Sequence, residues 1–186
     1  EGSEIKTHED CATANGTSIK VKNLFYNVPA RRNFLKSDKV EMRYITEEFT
    51  RVSLANPNVK MQMFHNNNEI FHLPISNFRQ RIVNIIGGKK NENLVPVEEE
   101  TTVVKIDGFV GKPEAAKRTR GEQYFFVNGR FIKSNYLNHA VSKAFEELIP
   151  HNYFPSYFIN LDIKPKLIDI KLALEVLLKA KKPIIY

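Results

Sequence analysis

The chain has 186 residues, with 28 Lys and Arg against 21 Asp and Glu, a formal net charge of +7 with neutral histidines. At 42% hydrophobic and 26% charged residues, it is globular in composition, which excludes a disordered or fibrous chain, and its length gives one full domain with room for part of another. No apolar run reaches the ~20 residues of a membrane helix, and the single Cys11 excludes an internal disulfide, as suits a reducing compartment.

The opening residues EGSEIKTHED are polar and start without Met. They carry no signal peptide and read as a cut through a longer chain. Residues 17–25 alternate in part, with Ile19 and Val21 against Lys20 and Lys22, which predicts a strand with one wet face. Pro29 ends that pattern. Asp38 followed by Glu41 is an acidic capping box, and Ile45, Phe49, Val52 and Ala55 form the apolar stripe of the helix it opens. Asn56-Pro57 stops this helix. Val59, Met61 and Met63 alternate with Lys60 and Gln62 as a strand, Asn66-Asn67-Asn68 is a hairpin turn, and residues 69–73 return.

A short helix over 78–86 ends at Gly87-Gly88. Residues 94–97 and 102–110 are strand-like, 112–121 is a loop, and EQYFFV at 122–127 is strongly β-prone. Asn128-Gly129 is a turn dipeptide. Ser134 caps a helix with a stripe at Leu137, Val141, Ala144 and Leu148, ending near Pro150. Residues 156–163 form a strand with Ile159, Leu161 and Ile163 on one side, and residues 167–170 extend the β pattern. Helices interleaved with strand pairs imply an α/β (α+β two-layer) domain, a mixed sheet with helices on one face.

Three stretches carry more than local structure. The first is LFYNVPARRNFL at 24–35, the second is Arg120, Gln123, Phe126-Val127-Asn128 and Arg130, and the third is Phe154-Pro155 followed by Pro165 and Ile168-Asp169. In order and spacing they resemble the LFYN-x-PARRKFL, R-x-x-Q-x-x-FVN-x-R and later motifs of the MutL family of DNA mismatch-repair proteins. The resemblance runs from Gly16 to Ile170. It implies residues 1–28 as the last piece of a GHKL ATPase domain and 29–186 as a transducer domain like domain 2 of ribosomal protein S5. It implies ATP and magnesium in the intact protein, with slow ATPase activity there and none from these residues alone. Expected partners are duplex or single-stranded DNA without sequence specificity, a MutS-family mismatch-recognition protein and a second copy of the chain, in a bacterial, nucleoid-associated cytoplasmic setting and without a membrane.

The family's catalytic Glu, magnesium-holding Asn, D-x-G-x-G turn and GFRGEAL lid are not among these residues. Where its NVHP-x-K motif would follow Ile170, the chain reads KLALEV, so no phosphate role passes to Lys171. Gly16-Thr17 matches the family's GT beside the nucleotide: glycine permits close backbone approach and threonine offers a hydroxyl. By themselves these two residues read as a turn before a strand. Pro29 to Arg32 reads as a rigid interdomain hinge more than as a DNA contact.

Lys112, Lys117, Arg118, Arg120, Arg130 and Lys133 concentrate six cations around one strand. If neighbouring strands bring them to one rim, they can neutralise backbone phosphates. The plainer reading is a solvated loop. No base-reading module is visible, so backbone contact is expected. Tyr124 to Phe126 reads as a buried strand rather than a base-stacking platform, and the five histidines with Cys11 show no metal-ligand spacing. Rival readings are the transducer of another GHKL ATPase, topoisomerase-like, or an S5-like RNA-binding domain.

Overall fold

The computed structural model describes residue 5, residues 7–10, residue 12 and residues 15–163. Cys11, Pro165, residues 167–170 and Lys171, all used above, lie outside the described residues. The chain divides into two compact units, Glu1–Glu41 and Met42–Tyr186.

In the first unit, residues 17–22 form no strand. A strand is completed by the ladder of a neighbour, and none is paired with this segment among the described residues. Ile19 and Val21 are 82% and 75% exposed. The chain then turns at Asn23 (φ 52°) and Phe25 (φ 62°), with the Tyr26 amide donating to the Asn23 carbonyl at 2.9 Å. A single helical turn, α1 (Pro29–Arg32), follows with proline in its first position, where the fixed φ suits helix entry and the missing N–H costs nothing.

Helix α2 (Asp38–Ala55) starts as the capping pattern predicts in extent, with the roles shifted by one. Ser37 presents its carbonyl to the Val40 and Glu41 amides, and Glu41 accepts from the Lys36 amide at 2.8 Å. Its buried side differs from the expected stripe. Thr50, Ser53 and Leu54 are buried, whereas Ile45 and Val52 are more than half exposed. Phe49 stacks on Phe71 at 5.4 Å, and the Ser53 hydroxyl reaches the Met61 sulfur at 3.3 Å. The small polar residues sit inward because they permit close approach of the hairpin β1 (Met61–His65) and β2 (Asn68–Leu73). Asn66 and Asn67, at φ 48° and 65°, make its two-residue turn, as asparagine tolerates the left-handed region.

Helix α3 (Phe78–Ile86) has the predicted bounds. The Asn77 side chain accepts from the Gln80 amide at 2.8 Å, and Gly87 follows the last turn at φ 103°. From α3, the fully buried Arg81 donates to the carbonyls of Pro57, Val59 and Pro74 at 2.8, 2.6 and 3.1 Å. It ties the end of α2 to both ends of the hairpin.

The main sheet contains β3 (Leu94–Glu100), β4 (Val104–Gly111), β5 (Gln123–Val127), β6 (Arg130–Ile132) and β7 (Tyr157–Ile163), in the order β3-β4-β7-β5-β6. All neighbours are antiparallel except β5 and β7, which run parallel. The parallel pair is bridged by β6 and helix α4 (Asn135–Ala144). Ser134 caps α4 by accepting from the Leu137 amide. Leu137, Val141, Phe145 and Ile149 then pack on the sheet, and Leu148 is 47% exposed. Phe145 and Ile149 thus replace the Ala144 and Leu148 of the expected stripe.

The mixed α+β sheet stands as expected, with one correction. Helices cover both faces, not one. Val104, Ile106, Phe125, Tyr157, Ile159 and Leu161 meet α4 on one side. Phe126 and Phe158 meet Leu54 of α2 and Ile82 and Val83 of α3 on the other. The central strands carry apolar side chains in both directions, Phe125 beside Phe126 and Phe158 beside Ile159, so both faces need cover.

Candidate nucleic-acid interface

The register fixes where each candidate cation lies. Gly111 ends β4, Gln123 starts β5 opposite Tyr157, and Tyr157 starts β7 opposite Val110. These three strand ends share one end of the sheet. Lys112 leaves β4 there, and the loop carrying Lys117, Arg118 and Arg120 returns there to β5. Arg130 is paired with Val127, four residues further along β5, which places it about 14 Å away along the strand direction. Lys133 follows Ile132, the partner of Phe125, and so falls on the edge level with Tyr124, one residue from the Gln123 end. Of the six expected cations, the register sets Arg130 apart from that end.

The loop is held by a joint the sequence did not reveal. Residues 117 and 154 pair as a bridge, with the Lys117 amide donating to the Phe154 carbonyl at 3.0 Å and the Phe154 amide returning at 2.7 Å. Lys117 pairs with the Glu122 carboxylate, which also accepts from the Ser156 hydroxyl at 2.7 Å. Gln123 donates to the Pro155 carbonyl at 2.8 Å. Two guanidinium groups lie over aromatic rings, Arg118 above Tyr153 at 5.6 Å and Arg120 above Phe154 at 4.6 Å. Arg118 Nε also donates to the Tyr153 hydroxyl at 2.9 Å.

This arrangement has a chemical consequence. Lys117 is committed to a carboxylate, whereas Arg118 and Arg120 are exposed and held against the aromatic rings of Tyr153 and Phe154. A guanidinium pre-oriented in this way offers its N–H edge to a phosphate with less entropy to lose. The signal available in the sequence was the aromatic pair Tyr153-Phe154 before Pro155. Two motifs read separately, at 120–130 and at 154–155, pack on one another here.

Asn128 is structural. At φ 48° in the turn with Gly129, its side chain donates to the Ile163 carbonyl at 3.0 Å and accepts from the Ile163 amide at 2.8 Å. It extends the β5–β7 ladder past the last strand residue. Gly16 and Thr17 are exposed in the first unit, with open space around the position of a Cβ on Gly16. Among the described residues, no three His, Cys, Asp or Glu side chains gather as metal ligands, and no helix is long and apolar enough to cross a membrane.

A mixed sheet covered by helices on both faces, with a basic loop at one sheet end, defines an α+β domain of the S5 domain 2-like class. Residues 82–178 match the family described as DNA mismatch repair protein, C-terminal domain. The MutL proteins of Christiangramia forsetii and Flavobacterium psychrophilum are 63% and 55% identical to the chain over 172 residues. Each match takes in 92% of this chain and 28% of the relative, so the chain spans under a third of those proteins. The ADP-complexed ATPase domain of Aquifex aeolicus MutL matches with a TM-score of 0.62 at 25% identity, over 88% of this chain and 58% of that one. The N-terminal domain of a DNA repair protein, at 17% identity, shares the fold with a TM-score of 0.72, over 83% and 54% of the two chains. The chain belongs to the MutL family of DNA mismatch-repair proteins.

Proposed function

We propose that residues 29–186 act as the transducer of a MutL-family protein and couple ATP binding in an adjacent GHKL domain, of which residues 1–28 are the last piece, to DNA binding. The observation that carries this reading is the basic end of the sheet in a family member, with Arg118 and Arg120 exposed and held against aromatic rings on loops anchored to the central strand β7. Lys112, Lys117, Arg118, Arg120, Arg130 and Lys133 are the DNA-side candidates, with Arg118 and Arg120 foremost. A strand this firmly joined to the loop transmits movement from the sheet to the DNA contact.

The nucleotide side is carried over by resemblance to Gly16 and Thr17. ATP and magnesium would bind in the intact protein, which would work as a slow ATPase with a MutS-family partner and a second copy of itself in the bacterial cytoplasm. The 186 residues by themselves would not turn over ATP, and hydrolysis above background by the purified chain would overturn that.

The DNA reading is tested by titrating duplex DNA over a range of salt. Each phosphate contact contributes about −0.9 to the slope of log affinity against log salt. R118E/R120E should weaken binding and flatten the slope by roughly two contacts. R130E, at the other end of the sheet, should do less. Unchanged affinity and slope in R118E/R120E would remove the rim from the reading.

A further inference from the structure

Residues 118–121, which carry Arg118 and Arg120, are framed by two joints to the segment 154–157. On one side, residue 117 pairs with residue 154 through both backbone groups. On the other, the Tyr157 amide donates to the Glu122 carbonyl at 2.8 Å, where β5 and β7 begin their parallel ladder. The Glu122 side chain closes this frame from within. Its Oε1 meets Lys117 Nζ, and its Oε2 accepts from the Ser156 hydroxyl at 2.7 Å. Ser156 is buried, and its carbonyl accepts from the Gly111 amide at 2.7 Å. One carboxylate therefore links both ends of the arginine segment and, through Ser156, the last residue of β4. Its side chain is only 13% exposed and so faces inward.

The charge of Glu122 has the wrong sign for a surface that meets phosphate. A carboxylate beside a DNA contact repels the polyanion, and its pairing holds the Lys117 ammonium back. By charge alone, the rim would grip DNA better without it. What the carboxylate supplies is geometry. Charge-assisted hydrogen bonds are shorter and stronger than neutral ones. Gly121, at φ 147°, precedes Glu122, and an anchor at the next residue restrains what the glycine leaves free. Arginines on a fixed backbone have less freedom to lose on meeting a phosphate.

We propose that Glu122 is a positioning residue for DNA binding. Through Lys117 and Ser156 it fixes the segment from which Arg118 and Arg120 reach backbone phosphates, so a negative charge strengthens the grip on a polyanion. The proposal rests on the DNA-binding reading and gives Glu122 a part in it without direct contact to DNA.

Charge and position predict opposite signs for E122Q, which removes the charge and keeps the shape. An arbitrary-sequence duplex is titrated over a range of salt against the wild-type chain, E122Q, R118Q/R120Q and R118Q/R120Q/E122Q. E122Q should bind several-fold more weakly than the wild type, with the salt slope unchanged and faster amide exchange across 118–121. In the R118Q/R120Q background E122Q should change affinity little, because its effect passes through those arginines. General damage to the fold would act in both backgrounds. If E122Q lowers the denaturant midpoint, S156A, which alters no charge, replaces it in both backgrounds with the same weakening expected. Wild-type or tighter binding by the single variant, when R118Q/R120Q is weakened, would overturn the proposal. A slope steeper by about 0.9 would then identify Lys117 turned to a phosphate as the cause. An equal loss in both backgrounds would overturn it too. If R118Q/R120Q binds as the wild type does, or the wild type does not bind, the DNA-binding reading itself fails, and the role of Glu122 with it.

Discussion

Gly108 sits in the middle of β4, between β3 and β7, at φ 151°. A Cβ there would lie 2.1 Å from the Phe158 carbonyl oxygen and 2.9 Å from Ile159 Cα. Both are backbone atoms of the central strand, so neither can yield without breaking the ladder. Gly108→Ala should cost about 3 kcal/mol, combining the φ penalty with overpacking, read as a lowered denaturant midpoint. One buried tyrosine and one partly buried one set a different limit. Burial raises the pKa of Tyr157, whose hydroxyl hydrogen-bonds Asn138, and also that of Tyr124, which stacks on Phe158 at 5.5 Å. Because the folded state holds these protons more tightly than the unfolded chain, their contribution is complete below the ordinary tyrosine pKa of about 10. It is lost as pH rises from there towards the folded values. Unfolding free energy should therefore fall between about pH 9.5 and 11. In Tyr157→Phe, measured the same way, the fall should be shallower.

Elements were legible where local chemistry settles them. Gly87 ends α3, and the turns at Asn66-Asn67 and Asn128-Gly129 close two hairpins. The orientation of α2 was not legible, because periodicity favours Ile45 and Val52, whereas the packed hairpin selects the small Thr50 and Ser53. Nor was the missing strand at 17–25: alternation gives a propensity, and pairing decides. β6 spans only Arg130–Ile132, too short for any period to show. The six cations were visible as a cluster in sequence, yet only register could separate Arg130 from the loop, and only tertiary contact could show Tyr153 and Phe154 beneath the arginines. Asn128→Ala tests how far one turn residue supports the sheet. It removes both hydrogen bonds to Ile163 and puts a Cβ-bearing residue without a local polar partner at positive φ. A loss of about 2 kcal/mol is expected. Amides at the end of β7 should exchange faster in that variant.

At the scale of the molecule, stability should rank by position in the sheet. β7 lies between β4 and β5, with helices above and below, whereas β3 and β6 are edges. Native-state hydrogen exchange should be slowest in β7 and its neighbours and fastest in β6 and in the first unit, since local opening follows buried apolar contact. A uniform protection profile across the five strands would contradict this.

The place of β7 also bears on how the chain is made. It is the last described strand to leave the ribosome, and it belongs in the centre. Until Tyr157–Ile163 is translated, β3–β4 and β5–β6 are two separate ribbons, each with an open side that only this segment can fill. Synthesis at about 5–20 residues per second leaves those sides waiting for seconds, a window in which a nascent polypeptide of this family would draw on chaperones.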